Sequence, residues 1–186
     1  MPCAVRFDVQ PTVHAMSPTP ASLLTIFGAT GDLAQRMLLP SLYALHRDRL
    51  LPPAMRILGT ARSELDAQAF RATVAQALER FVPERDEAEV RALLERIDYV
   101  PVTLGDAASF ERLGERVRAL RDGGDVVYHL STAPRFYGDI CTALAAQGLA
   151  GPGTRVMLEK PIGHDLASAN AINDGVAQVF EEARIY

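Results

Sequence analysis

Three short stretches of this chain carry residues whose types and spacing can do chemistry. The first is LLTIFGATGDLAQR, residues 23–36, where an apolar run meets Gly28 and Gly31 and then turns helical. After a buried strand, one glycine permits a tight turn and a second lets the backbone approach a pyrophosphate lying over the free amides of the next helix. Ala34 supplies the small residue needed where that helix packs on the strand, so the pattern reads G-x-x-G-x-x-A. The same letters also describe a plain connecting turn, and Asp32 fits a helix-start acid favoured by the helix dipole.

The second stretch, ILGTARSE, holds Arg62 with no acid between Ile57 and Ser63. In dinucleotide sites an acid at this place binds the ribose 2′-OH of NAD, whereas an arginine accommodates the 2′-phosphate of NADP. The pattern therefore favours NADP, with Thr60 and Ser63 as further hydroxyl contacts; a solvated surface arginine is the plainer alternative. The third stretch, VMLEKPIGHDL, puts Glu159, Lys160 and Pro161 at the carboxyl end of a strand, the edge where open parallel sheets take ligands. Its alternative is a strand stop, because proline cannot continue a central ladder. A cis Lys160–Pro161 bond is a further possibility.

These stretches need strands to carry them. Short apolar runs at 23–27, 56–59, 97–104, 126–130 and 155–158 read as strands buried on both faces, separated by helical patterns. Phe70, Val74, Leu78 and Phe81 form one helical stripe; Phe110, Leu113, Val117 and Leu120 form another, and both are core packing. Asp86 with Glu89 predicts a capping box, and Asp106 a helix N-cap. The alternation predicts an α/β fold, a Rossmann-type doubly wound parallel sheet of order 3-2-1-4-5-6 with helices on both faces. A sixth strand begins at Arg184-Ile185-Tyr186 and is expected to be truncated, leaving an edge at which a second copy can pair to form a homo-oligomer. Residues 1–21, with Pro2, Pro11, Pro18 and Pro20, are expected to be an unstructured extension, with Met16 an alternative start. Residues 22–186 are read as the cofactor domain.

Composition removes several function classes. A net charge of −4 with scattered basic residues excludes a nucleic-acid surface. Cys3 and Cys141 match no metal or redox spacing, and no apolar run approaches a membrane span or a signal peptide, so a cytoplasmic protein is expected. For His14, His46, His129 and His164 no carboxylate is placed by sequence as an orienting partner, and each is expected to be non-catalytic.

Taken together, IFGATGDLAQRMLLPSLYAL, GTARS, YHLSTAP and EKPIGHDLASANAIN resemble the coenzyme domain of the glucose-6-phosphate dehydrogenase family over about residues 23–186. The resemblance implies that Gly28, Ala29, Thr30, Gly31, Asp32 and Leu33 line a pyrophosphate loop and that Arg62, with Ser63, meets the adenosine 2′-phosphate. It also implies that Val102 and Thr103 border the adenine. Ser131, Ala133 and Pro134 would contact the nicotinamide half through backbone. Glu159 and Lys160 would stand at the nicotinamide side, Lys160 touching the substrate as well. The implied cofactor is NADP, and the implied substrate of the full-length enzyme is glucose 6-phosphate, oxidised to its 6-phosphoglucono-lactone. Met37 stands where the family commonly has a lysine. The family's general-base histidine lies in a substrate domain beyond Tyr186, so these residues are expected to bind cofactor without turnover. Two other readings stand beside this one: the coenzyme domain of another EKP-containing sugar or polyol dehydrogenase, and a non-catalytic NADP-sensing module.

Overall fold

The computed structural model describes residues 20–186, so the reading of an N-terminal extension falls, apart from its last two residues, outside the described residues. Strand β1, Ala21–Phe27, starts two residues earlier than its apolar run suggests. It is followed by β2 (Arg56–Ala61), β3 (Ile97–Pro101), β4 (Asp125–Leu130) and β5 (Thr154–Leu158). They form one parallel sheet of order β3-β2-β1-β4-β5, as the sequence predicts. Beyond β5, Ile185 bridges Val156 in parallel, and the Tyr186 amide donates to the Val156 carbonyl at 2.9 Å. The expected sixth strand is thus marked by a single bridge at Ile185, Arg184 still belonging to a 3-10 turn over Glu182–Arg184.

Helices α1 (Leu39–Arg47), α2 (Ala67–Phe81) and α3 (Glu87–Glu95) cover one face; α4 (Ala107–Leu120), α5 (Tyr137–Ala146) and α6 (Leu166–Ala177) cover the other. Strand side chains alternate between the two cores. Leu23, Phe27, Leu58, Val126, Tyr128 and Val156 meet Phe110, Leu113, Ile140 and Leu144, whereas Ile26, Ile57, Ile97 and Tyr99 meet Leu42, Phe70, Val74 and Leu78. Both helical stripes are core, with Phe81 and Leu120 only partly buried at their ends. None of the described helices is long and apolar enough to cross a membrane.

Three local expectations change. Strand β3 ends at Pro101 and not at 104: Val102 adds one more bond, to the Ala61 carbonyl, and the chain then turns through Thr103 and a left-handed Gly105. Asp86 caps α3 by accepting from the Ala88 and Glu89 amides, but the reciprocal half of the box is missing. The Glu89 carboxylate goes instead to Arg49 and to His46, 3.3 Å from its Nε2. The helix after the glycine turn opens with a π turn over Ala34–Leu38, in which the Leu39 amide donates to the Ala34 carbonyl. Pro40 follows it. A proline ring has no room for the carbonyl four residues back, and the widened turn accommodates it.

Two features of this packing have measurable consequences. A Cβ on Gly59 would lie 2.4 Å from the Phe70 ring and 3.1 Å from Ala29 Cβ, so β2 passes under α2 with no room for a methyl group. Gly59→Ala is expected to destabilise the fold by roughly 1–3 kcal/mol in urea denaturation, with a smaller penalty in a Phe70→Leu background. His46 and His129 are both buried, and burial is the largest cause lowering their pKa from 6.5; the nearby Glu89 and Glu159 partly oppose it. The native state thus holds these rings neutral while the unfolded chain takes up protons from about 6.5 downward. Stability should be fully present above that pH and fall as pH drops below it. His129→Gln should flatten the decline, read from urea midpoints between pH 7.5 and 5.

Candidate functional site

The carboxyl ends of β1, β2 and β4 converge through a glycine. Gly28 has φ +79°, and a Cβ there would sit 2.2 Å from the Ser131 carbonyl oxygen, so no other residue allows the loops after β1 and β4 to come this close. The Ser131 amide donates to the Phe27 carbonyl at 3.0 Å, while the Gly28 and Ala29 amides both donate to the Thr60 carbonyl, at 2.8 and 3.1 Å. Around this junction lies a cavity of about 730 Å³.

Of the residues singled out from sequence, Gly28, Thr30, Gly31, Arg62, Ser63, Val102, Thr103 and Ser131 line this one cavity. Ala29 does not. Its side chain is fully buried in the α1–α3 core, and its amide is spent on Thr60. Gly31 likewise donates its amide to the Gly28 carbonyl, at 2.9 Å. The donors left over are further along: the first helical amide with a carbonyl partner is that of Gln35, on Gly31, and no side chain caps the turn before it. Asp32, Leu33 and Ala34 therefore carry the unmatched N–H groups and the positive end of the helix dipole. The Asp32 carboxylate is exposed and pairs with Arg36 at 3.4 Å, a first-turn acid, not a cap.

Other contacts hold the rim in place. Gln35 Nε2 donates to the Thr30 carbonyl at 2.8 Å, and the Thr30 and Ser63 hydroxyls lie 3.3 Å apart, joining the first and second loops. Tyr99 Oη, from β3, donates to the Ser63 carbonyl at 2.8 Å and the Ala61 carbonyl at 3.2 Å, and burial pushes its pKa up to about 12. This fixes the backbone on both sides of Arg62. The Arg62 side chain is exposed and makes no ion pair among the described residues.

Three hydroxyls in the cavity wall, those of Thr60, Ser131 and Thr132, are sealed from solvent with no hydrogen-bond partner. Buried polar atoms left unpaired are costly, and a ligand offering acceptors or donors at this wall would satisfy them. Unmatched helix amides, an unpaired guanidinium and orphaned hydroxyls around a cleft of dinucleotide size together fit a phosphorylated nucleotide cofactor.

Ala133 and Pro134 face a second cleft of about 670 Å³, whose other walls include Gly138, Pro161, Gly163 and His164; Arg135 lines both cavities. The Lys160–Pro161 bond is cis. Lys160 is exposed beside this cleft, and the backbone of Glu159 is clamped by the buried Tyr137, whose hydroxyl accepts from the Glu159 amide at 3.2 Å and donates to its carbonyl at 3.1 Å. Glu159 Oε1 lies 3.2 Å from His129 Nε2. The fold thus gives His129 and His46 carboxylate neighbours that sequence spacing does not place, because pairing across strands and helices is invisible to it. His164 also has Asp165 at 3.5 Å, but there both groups are exposed.

Sequence reasoning missed Thr132, Arg135, Tyr99, Tyr137 and Gln35. Thr132 and Arg135 were within reach, since they follow the carboxyl end of β4 beside residues already chosen. The two tyrosines carried no local signal, being core residues whose hydroxyls emerge at the rim.

Residues 25–186 match the family described as glucose-6-phosphate dehydrogenase, NAD binding domain. The chain is 45% identical over 176 residues to a glucose-6-phosphate 1-dehydrogenase of Mycolicibacterium smegmatis, covering 91% of this chain and 35% of that protein. It is 43% identical over 168 residues to the one from Zymomonas mobilis, covering 89% and 34%. The crystal structure of the Mycobacterium avium enzyme superposes with a TM-score of 0.81 at 31% identity, over 89% of this chain and 35% of that one. A glucose-6-phosphate dehydrogenase solved with glucose 6-phosphate bound also gives 0.81, at 28% identity, over 91% and 37%. The chain thus spans about a third of the length of these relatives, and it belongs to the glucose-6-phosphate dehydrogenase family, as its nicotinamide-cofactor domain.

Proposed function

We propose that these residues are the NADP-binding domain of a glucose-6-phosphate 1-dehydrogenase, in which the larger cavity takes the adenine dinucleotide and the cleft beside Lys160 faces the sugar phosphate. The observation that carries this reading is the unpaired Arg62 at the end of β2, with no acid between Ile57 and Ser63, adjoining unmatched helix amides. When bound, the nicotinamide ring would accept hydride from C1 of the sugar; the chemistry is the cofactor's own.

The chain's residues bind and orient. The amides of Asp32 and Leu33 donate to the diphosphate, and Arg62 and Ser63 take the 2′-phosphate, with Val102 and Thr103 beside the adenine. Ser131 and Thr132 satisfy their hydroxyls on the cofactor. Lys160 reaches the substrate from a backbone anchored by Tyr137, and Met37, exposed on the π turn, offers no charged donor there. Of the described histidines, His129 is buried against Glu159 and His46 lies by the start of β2, at the far end of the sheet. His164, on the wall of the second cleft, is exposed with only the equally exposed Asp165 beside it, at 3.5 Å; none of the three is a buried base held toward the sugar. General-base assistance is worth about 10²–10⁴-fold, so this chain alone should bind cofactor without useful turnover.

Calorimetric titration tests the assignment. NADP should bind more tightly than NAD, and Arg62→Ala should cost roughly 10–100-fold in NADP affinity, the value of a charge-assisted hydrogen bond, while leaving NAD nearly unchanged. Equal affinity for the two cofactors in the unmodified chain removes the role given to Arg62. Mixing the chain with NADP and glucose 6-phosphate should produce no steady rise in absorbance from NADPH.

A further inference from the structure

At the end of the sheet opposite the glycine turn, the carboxyl ends of α1 and α3 meet the start of β2 around a cavity of about 550 Å³. Its wall carries three arginines, Arg49, Arg56 and Arg96, beside His46. Two of the three are engaged. Arg49 forms a two-pronged pair with Glu89, with Nη–Oε distances of 2.9 and 2.5 Å. Arg96 donates to the Pro52 carbonyl at 2.9 Å and to that of Pro53, and its Nη1 lies 3.3 Å from His46 Nδ1. None of the Arg96 contacts is a carboxylate.

Arg56 is different. Its Nε is sealed from solvent with no partner, and its side chain makes no hydrogen bond or ion pair among the described residues. Its charge acts on Arg96 together with that of Arg49, and this repulsion adds to burial in lowering the Arg96 pKa. Glu95 is also on the wall but pairs with none of the arginines. Two like charges therefore face one cleft, one of them with a buried donor unused.

We propose that this cavity binds a phosphate group between Arg56 and Arg96. A tetrahedral dianion accepts hydrogen bonds from the forked face of a guanidinium, would occupy the orphaned Arg56 donor and would cancel the repulsion between the two arginines. The cavity is larger than the group itself and is partly walled by Leu51 and Pro53. It can hold either free phosphate or the phosphate of a small monoester. The site is independent of the cofactor assignment, since it lies at the other end of β2 and shares no wall residue with the cofactor cavity.

The arginine Nε–H signals of the ¹⁵N-labelled chain test this. Titrations would use inorganic phosphate and, separately, glycerol 3-phosphate, in an Arg62→Ala background that removes the unpaired Arg62 guanidinium from the cofactor cavity. Arg56 and Arg96 signals should shift together along one binding curve with Kd below roughly 1 mM, and Arg56→Gln should weaken it by about 10-fold or more as read at Arg96. Arg56→Lys, which keeps the charge without the fork, should fall between the two and serves if the glutamine variant does not fold. Equal affinity for the two ligands identifies free phosphate as the occupant, and tighter binding of the ester identifies the monoester. Arg56 signals unmoved by either ligand, or an Arg96 curve unchanged in both Arg56 variants, would overturn the proposal.

Discussion

The architecture of the site depends on one missing methyl group. At Gly28 the chain leaves β1 in a left-handed conformation and passes so close to the loop after β4 that a Cβ would overlap the Ser131 carbonyl oxygen. That approach lets two amides converge on the Thr60 carbonyl and brings the ends of three strands to one place. A side chain at this position would push the β1 and β4 loops apart, separating the helix amides from the hydroxyls of Ser131 and Thr132. The glycine acts first through geometry, and any contact with a ligand is secondary.

Once the loops are together, the local hydrogen bonds decide which donors remain for a ligand. Gly28, Ala29 and Gly31 all spend their amides on the turn itself, so these residues make the cradle rigid and leave the amides of Asp32 and Leu33 unmatched. Helices α2, α3, α4 and α6 are capped by aspartates, Asp66, Asp86, Asp106 and Asp165 each accepting an amide at the helix start, whereas α5 and the short turn before it have no side-chain cap. The helix after the glycine turn has no such cap. A carboxylate accepting those amides would occupy the ground a diphosphate needs, so the uncapped start is consistent with the proposed role.

The rim is held by core residues with polar tips. Tyr99 and Tyr137 bury their rings on opposite faces of the sheet, and each ends in a hydroxyl bonded to the backbone beside a residue of interest, Ser63 in one case and Glu159 in the other. Loop positions are thereby tied to the packing of the two cores. The β4 histidine beside Glu159 extends the same principle to charge, because its burial favours the neutral ring next to the carboxylate.

Much of this was legible in the amino-acid sequence because it is encoded locally. Strand positions, their order, the two helical stripes and the glycine, arginine and lysine motifs all follow from periodicity and spacing within a few residues, and four motifs in register identify a family. The misjudged details mostly depend on distant partners. Glu89 completes a capping box on paper, yet Arg49, forty residues away, takes its carboxylate. The end of β3, by contrast, lies at a residue the sequence shows, Pro101, although Val102 continues the apolar run. Ala29 sits inside the motif, yet it faces the core. The sequence by itself determined the fold and the class of cofactor, since hydrophobic period and glycine placement are local constraints on the backbone. Only the tertiary structure decided which donors stay unpaired, because a hydrogen bond is assigned by competition among groups that folding alone brings within 3 Å or so of one another.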